Sequence, residues 1–290
     1  MTLTYHLLNV FTRDGDRLSG NALCVFEDGS ALDGVRMQAL ARQFNLSETT
    51  FLLPSARATC SVRIFTPDFE MPFAGHPTLG TAHVVRLLGR GGDRLELEMP
   101  AGVIAVQARG DEWTLSANAA SYRELESGGG VLAAALGLAP GDLVGAAPPG
   151  GSGPRPLWVD SGTEQLVVPL ASVEAVRRVT ADVVAMDALR SRQGRRMAYV
   201  FAAAGDGRVV SRFLFEADGA MREDPATGSA CANLGGWYLA TGASSLPLSR
   251  EVRQGDQVRR PSTLRLSIDA ARQVRVSGEV VHLGSGCLDL

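Results

Sequence analysis

The sequence predicts an α+β fold of mostly antiparallel sheet, built as two similar halves. Three observations point there. Short apolar or alternating runs are bounded throughout by Gly, Asp and Pro turn residues. Helical patterns are few and follow no regular strand-helix-strand rhythm, which argues against a dinucleotide-binding fold. A nine-residue segment also recurs at an offset of 153 residues.

The elements follow in order. Thr4 to Phe11 alternates as a strand, Asp14-Gly15-Asp16 turns, and Ala22 to Phe26 forms a second strand that ends at Asp28-Gly29. Asp33 can cap a helix reaching Phe44, with apolar residues at Val35, Met37, Leu40 and Ala41. Glu48 to Pro54 and Ser61 to Phe65 read as strands, followed by a helix from Pro77 to Leu88. Strands at Leu95–Glu98, Gly102–Ala108 and Trp113–Ser116 complete the first half. The stretch from Ala119 to Pro154 is poorer in strands, with Gly128-Gly129-Gly130, an alanine-rich helix near Val131–Leu138 and a loop at Gly145–Pro154. Strands resume at Leu157–Val159, Gln165–Val168, Met197–Ala202 and Val209–Phe215. A helix spans Gly228–Leu239, and the last strands are Thr263–Ile268, Gln273–Ser277 and Glu279–Leu283. The halves are placed at residues 1–118, with 279–290 free to return to them, and at 119–278, related by a pseudo-twofold.

Composition excludes several chemistries. All 28 cationic side chains other than histidine are arginine. Without lysine there is no Schiff base, hence no pyridoxal-phosphate or lysine-aldolase chemistry, and no Walker-type phosphate loop. A net charge of −3 with scattered arginines argues against nucleic acid, and the four arginines between Arg190 and Arg196 read as a solvated face. No apolar run reaches membrane-spanning length and the N-terminus carries no export signal. Cys24, Cys60, Cys231 and Cys287 form no close pair, so they read as reduced thiols of a cytoplasmic protein rather than a metal site.

The repeat carries the site. Glu70-Met71-Pro72-Phe73-Ala74-Gly75-His76-Pro77-Thr78 lies over Glu223-Asp224-Pro225-Ala226-Thr227-Gly228-Ser229-Ala230-Cys231, with Glu, Pro and Gly coinciding. Each copy follows a strand and precedes about a dozen helix-compatible residues. A Gly opening a helix lets backbone N–H groups point outward, and these with the helix dipole bind anions. Two such turns can face each other across a cleft and hold a carboxylate, with His76, Asp224 and Ser229 beside it for proton transfer. On the residues alone, Gly75 and Gly228 can equally do no more than open helices. In the same way Glu48 can be a solvated strand start, and Asp224 and Ser229 can be caps.

Those two turns, together with Asn45-Leu46-Ser47-Glu48-Thr49, the opening Tyr5–Val25, Gln254-Gly255 and Arg260-Pro261-Ser262, resemble the phenazine-biosynthesis PhzF-like family over nearly the whole chain. The resemblance implies a diaminopimelate-epimerase-like fold, in which two α+β domains each roll a sheet around a central helix. Here those helices start near His76 and Ser229. It implies a homodimer, no cofactor and no metal. It also implies a small carboxylate-bearing substrate isomerised in the inter-domain cleft. Glu48 is then the general base and acid, His76 a hydrogen-bond donor or acid, and Asp224 a binder of an amine or hydroxyl or a proton relay. Gly75, Gly228 and Ser229 bind the carboxylate. Epimerases of this fold carry a cysteine at each turn; Pro72 and Pro225 stand there instead, which disfavours a two-thiol racemase. Arg259 stands where the family often has Gly. The rival readings are an epimerase or lyase on the same scaffold, and a non-catalytic binder of small acids.

Overall fold

Alternating apolar residues at the start of the chain place one face of a strand against a core, and the sheet grows from there. The computed structural model describes residues 1–145 and 153–290. They form two compact units, Met1–Ser116 with Ser277–Leu290, and Ala117–Val276.

In the first unit β1 (Thr2–Val10) pairs antiparallel with β2 (Asn21–Phe26). The chain then crosses through α1 (Gly34–Phe44) to β3 (Glu48–Leu53), which runs parallel to β2 with Leu23 opposite Glu48. Asp33 caps α1 by accepting from the Arg36 N–H, and Asn45 ends it in the left-handed region at φ 51°. An antiparallel β4 (Cys60–Phe65) follows, then the two-residue β5 (Glu70–Met71), helix α2 (Gly75–Leu87) and β6 (Arg94–Met99), which is parallel to β4. Two further antiparallel strands, β7 (Gly102–Arg109) and β8 (Glu112–Ser116), extend the sheet. In the core beneath α1, Phe51 stacks on Phe26 and meets Phe65 edge to face.

The second unit opens with β9 (Ser121–Glu124) and α3 (Gly129–Ala135). It then repeats the pairings of the first. β10 (Leu157–Asp160) pairs antiparallel with β11 (Glu164–Pro169), α4 (Val173–Arg178) crosses over, and β12 (Met197–Gly205) runs parallel to β11. The hairpin of β13 (Arg208–Ala217) and β14 (Ala220–Asp224) leads into α5 (Gly228–Thr241). β15 (Leu248–Gln254) is then parallel to β13, and β16 (Ser262–Ile268) antiparallel to β15. From β10 onward the internal repeat therefore extends beyond the two turns to the order and pairing of the strands and helices.

Both repeated helices are buried. In α2 every residue from Gly75 to Val85 is buried, and the helix packs on β1, β2, β3, β6 and β8. At Gly80 the packing leaves no room for a side chain, since a Cβ would stand 2.5 Å from Leu23 Cδ2 and 2.9 Å from Val10 Cγ2. Among the polar groups inside, Thr81 and Thr50 satisfy each other at 2.8 Å. Helix α5 packs on β9, β10, β11 and β16 and is apolar except for Asn233 along its buried run from Ala230 to Tyr238.

The structure corrects the sequence reading in several places. The two strands expected at Gln273–Ser277 and Glu279–Leu283 are one, β17 (Val274–Asp289). Gly278 does not turn the chain, because Val276 and Val280 on either side of it are both buried and hold the strand extended. From Val280 onward β17 pairs antiparallel with β1, with a register shift between Leu7 and Leu8. Strands β5, β9, β14 and β15 and helix α4 were not expected. The loop expected at Gly145–Pro154 falls on residues 146–152, which lie outside the described residues. Among the described residues no helix is long and apolar enough to cross a membrane.

Candidate active site

Two structural facts build the arrangement in the first unit. The parallel pairing of β2 and β3 sets Glu48 at the start of β3, and α2 begins at Gly75 with no side-chain cap on its N-terminal amides. His76 is the second residue of that helix. Its Nε2 lies 3.1 Å from Glu48 Oε2, with side-chain exposures of 5% and 15%. The contact is close but not aligned as a hydrogen bond, and Nε2 has no aligned partner among the described residues. A buried polar atom left in this way is where a substrate atom can bind.

The other ring nitrogen is braced. Ser47 donates its hydroxyl to Asn21 Oδ1 at 2.8 Å, and the Asn21 amide nitrogen lies 3.4 Å from His76 Nδ1. Burial pushes the His76 pKa down to about 3, against a smaller opposite pull from the Ala22 backbone. Burial thus favours the neutral imidazole beside Glu48.

The second unit presents the matching turn. Asp224 ends β14, and α5 begins at Gly228, again without a side-chain cap. Thr227 donates its hydroxyl to Asp224 Oδ2. Gln254, at the end of β15, donates to Thr227 Oγ1 at 3.0 Å and to the Asp224 carbonyl at 2.8 Å. Gly255 is required next to it, because at φ 83° a Cβ would stand 2.5 Å from the Pro225 carbonyl oxygen and 2.2 Å from that of Arg260. Ser229, second in α5 as His76 is second in α2, is half-buried and accepts from Gln165 Nε2 at 3.1 Å.

One unit thus brings Glu48 and His76 together at the start of α2, and the other ties Asp224 through Thr227 to the start of α5, where Gly228 and Ser229 lie. Asn21, Gln165, Thr227 and Gln254 hold them and were not singled out for these roles from the sequence. The signal available was a polar side chain within, or at the end of, a buried element.

The remaining histidines have structural partners. His83 accepts from the Trp113 indole at 3.3 Å, and burial lowers its pKa to about 4. His6 lies between Glu27, at 2.7 Å, and His282, at 3.0 Å. Cys231 follows the second turn but is buried in α5, and burial pushes its thiol pKa far up, the opposite of a nucleophile's. Arg259 takes φ 57°, the left-handed backbone that glycine adopts freely, which gives the physical content of that departure. The arginine cluster is paired with acids: Arg190 and Arg196 with Asp187, and Arg196 also with Glu216. Among the described residues no three His, Cys, Asp or Glu side chains gather as metal ligands.

A family model described as phenazine biosynthesis-like protein matches residues 8–286. A protein of Pasteurella multocida named an uncharacterized isomerase is 33% identical, over 97% of this chain and 92% of its own. The trans-2,3-dihydro-3-hydroxyanthranilate isomerase of Pseudomonas chlororaphis is 33% identical, over 94% of this chain and 95% of its own. Among solved structures, a phenazine biosynthesis protein of Bacillus anthracis, of the PhzF family, superposes with a TM-score of 0.84 at 21% identity over 100% of both chains.

Proposed function

Because the chain belongs to the phenazine biosynthesis-like protein family, we propose that it is an isomerase of a small carboxylic acid that moves a proton through Glu48. The observation that carries this reading is the Glu48–His76 pair, 3.1 Å apart at the uncapped start of α2, with the imidazole neutral. The relatives named as isomerases support the reaction class.

The chemistry follows from the groups. The Glu48 carboxylate takes a proton from a substrate carbon. The released C–H pair forms a new double bond, the neighbouring double bond shifts, and its far carbon takes the proton back from the Glu48 carboxyl. Atoms and electrons balance, and the step calls for no cofactor. Neutral His76 contributes by hydrogen bonding rather than as a cation. The amides at Gly75 and Gly228 and the Ser229 hydroxyl bind the carboxylate, and Asp224 takes an amine or hydroxyl of the substrate. In this reading each unit is a sheet rolled about its buried helix, and the protein works as a cytoplasmic homodimer. Light scattering at micromolar concentration would overturn the dimer if it gave the 30.6 kDa of one chain.

The test is NMR in D2O with wild type and Glu48→Gln, using a panel of cyclic and acyclic amino and hydroxy acids that includes trans-2,3-dihydro-3-hydroxyanthranilate. Conversion of one acid, or deuterium entering it, with wild type but not with the variant is the expected result. Equal activity of the two proteins removes Glu48 from the mechanism. Binding of an acid with neither exchange nor conversion favours the non-catalytic binder.

A further inference from the structure

A polar chain runs through the second unit from the loop after β10 to Ser229. Asn233 Oδ1 accepts from the Ser161 N–H at 2.9 Å and from the Ser161 hydroxyl at 2.7 Å. Its Nδ2 donates to the Thr163 carbonyl at 2.9 Å and to Gln165 Oε1 at 2.8 Å. A backbone N–H can only donate and a backbone carbonyl can only accept, so the Asn233 amide has a single orientation. Gln165 Oε1 is thereby engaged as an acceptor, and Gln165 Nε2 donates to Ser229 Oγ at 3.1 Å. Both amides are sealed in, with Asn233 at 0% and Gln165 at 2% exposure. Turning either over would set buried donors against donors.

We propose that Gln165 and Asn233 are positioning residues that fix the polarity of Ser229. Its oxygen accepts from Gln165 through one lone pair, so its proton is turned away from Gln165 and is available as a donor. This deepens the reading above and rests on it in one respect, that the group met by Ser229 is the substrate carboxylate. A hydroxyl with a free rotor accepts or donates as the ligand requires. One whose oxygen is already engaged by Gln165 keeps its proton and one lone pair, and so favours an acceptor over an ammonium or amide N–H at the same place. The discrimination is thus set by two residues that need not touch the ligand.

Two substitutions separate polarity from bracing. Gln165→Met removes the donor without adding an acceptor and leaves the Ser229 proton free to serve the ligand. Gln165→Glu keeps the shape but, when ionised, offers an oxygen that draws the Ser229 proton inward. With 3-hydroxyanthranilate as the calorimetric probe at pH 8, Gln165→Glu should weaken binding by roughly 10- to 100-fold and Gln165→Met by less than about five-fold. Lowering the pH should restore binding to Gln165→Glu, because a protonated carboxyl donates to Ser229 as the amide does. On a Ser229→Ala background, Gln165→Glu should cost nothing further. Equal losses in the two variants, or full additivity with Ser229→Ala, would overturn the proposal in favour of a plain structural brace. Neutron diffraction of the wild type reads the same point without a ligand. The Ser229 deuteron should point away from Gln165; a deuteron on the Ser229–Gln165 line overturns the proposal. If that deuteron is placed as expected and wild type does not bind the acid, the polarity stands and the carboxylate reading falls.

Discussion

His76 Nε2 and Glu48 Oε2 stand 3.1 Å apart, and the imidazole between that carboxylate and Asn21 is held neutral by burial. The pair joins a strand start to a helix start, two points brought together because α2 lies against β2 and β3. A neutral ring next to a carboxylate can orient a substrate without competing for the proton in transit.

Replacing His76 with Asn keeps a small polar group but withdraws the ring from Glu48. The turnover rate of whichever acid is converted should fall by roughly 10²- to 10³-fold. Steady-state kinetics beside a thermal melt check this. An unchanged rate would show that the contact has no part in the chemistry.

Acid should weaken the fold through its buried histidines. His76 and His83 have native pKa values lowered by burial to about 3 and about 4, below the ordinary 6.5. The unfolded chain therefore binds protons that the native chain refuses. Their stabilising contribution is complete above pH 6.5 and is lost as the pH falls towards about 4 for His83 and about 3 for His76, with a slope approaching about 1.4 kcal/mol per pH unit for each group. Urea midpoints at pH 7.5 and 5 read this window above most carboxylate titrations. His76→Asn should shrink the difference between them; an identical difference in both proteins would refute the account.

At Gly255 a methyl group would meet two carbonyl oxygens, at 2.2 and 2.5 Å, in a backbone at φ 83°. Gly255→Ala should destabilise by about 2–4 kcal/mol. It should also loosen Gln254 from Asp224 and Thr227, so activity should fall further than stability alone explains. Chemical denaturation and kinetics on the same preparation compare the two losses.

Arg259→Gly should act in the other direction. Relief of the left-handed strain at φ 57° outweighs the added freedom of the unfolded chain, for a gain of about 0.5–1 kcal/mol. That is a rise of roughly 1–4 °C in Tm. A fall in Tm would mean that the Arg259 side chain makes a compensating contribution of its own.

The long elements were legible in the sequence because their local signals agree with their packing. Asp33 caps α1 where the apolar spacing begins, and the small, nearly uncharged residues after Gly75 and Gly228 form helices buried along most of their length. What was missed is short or mixed in pattern. β5 has two residues, α4 has six, and β15 reads Leu-Ser-Arg-Glu-Val-Arg-Gln, in which only Leu248, Val252 and Gln254 are buried. Such segments are set by neighbouring strands rather than by their own propensity. In the site, the turns with Gly75 and Gly228 were visible as a repeat, whereas Asn21 and Gln165 were hidden as ordinary strand residues. Asn233 was discoverable: a single amide in an otherwise apolar helix has to find a buried partner.

Strand β17 leaves the second unit at Val276 and enters the first at Ser277 without a break. The strand that flanks β1 is therefore made only after every residue of the second unit has been added to the chain. During synthesis the second unit, continuous in sequence, can close first, while the unit holding Glu48 and His76 stays open along one edge until Val280 to Asp289 arrive. Truncation within those last residues would injure a carboxylate and an imidazole encoded more than two hundred positions upstream.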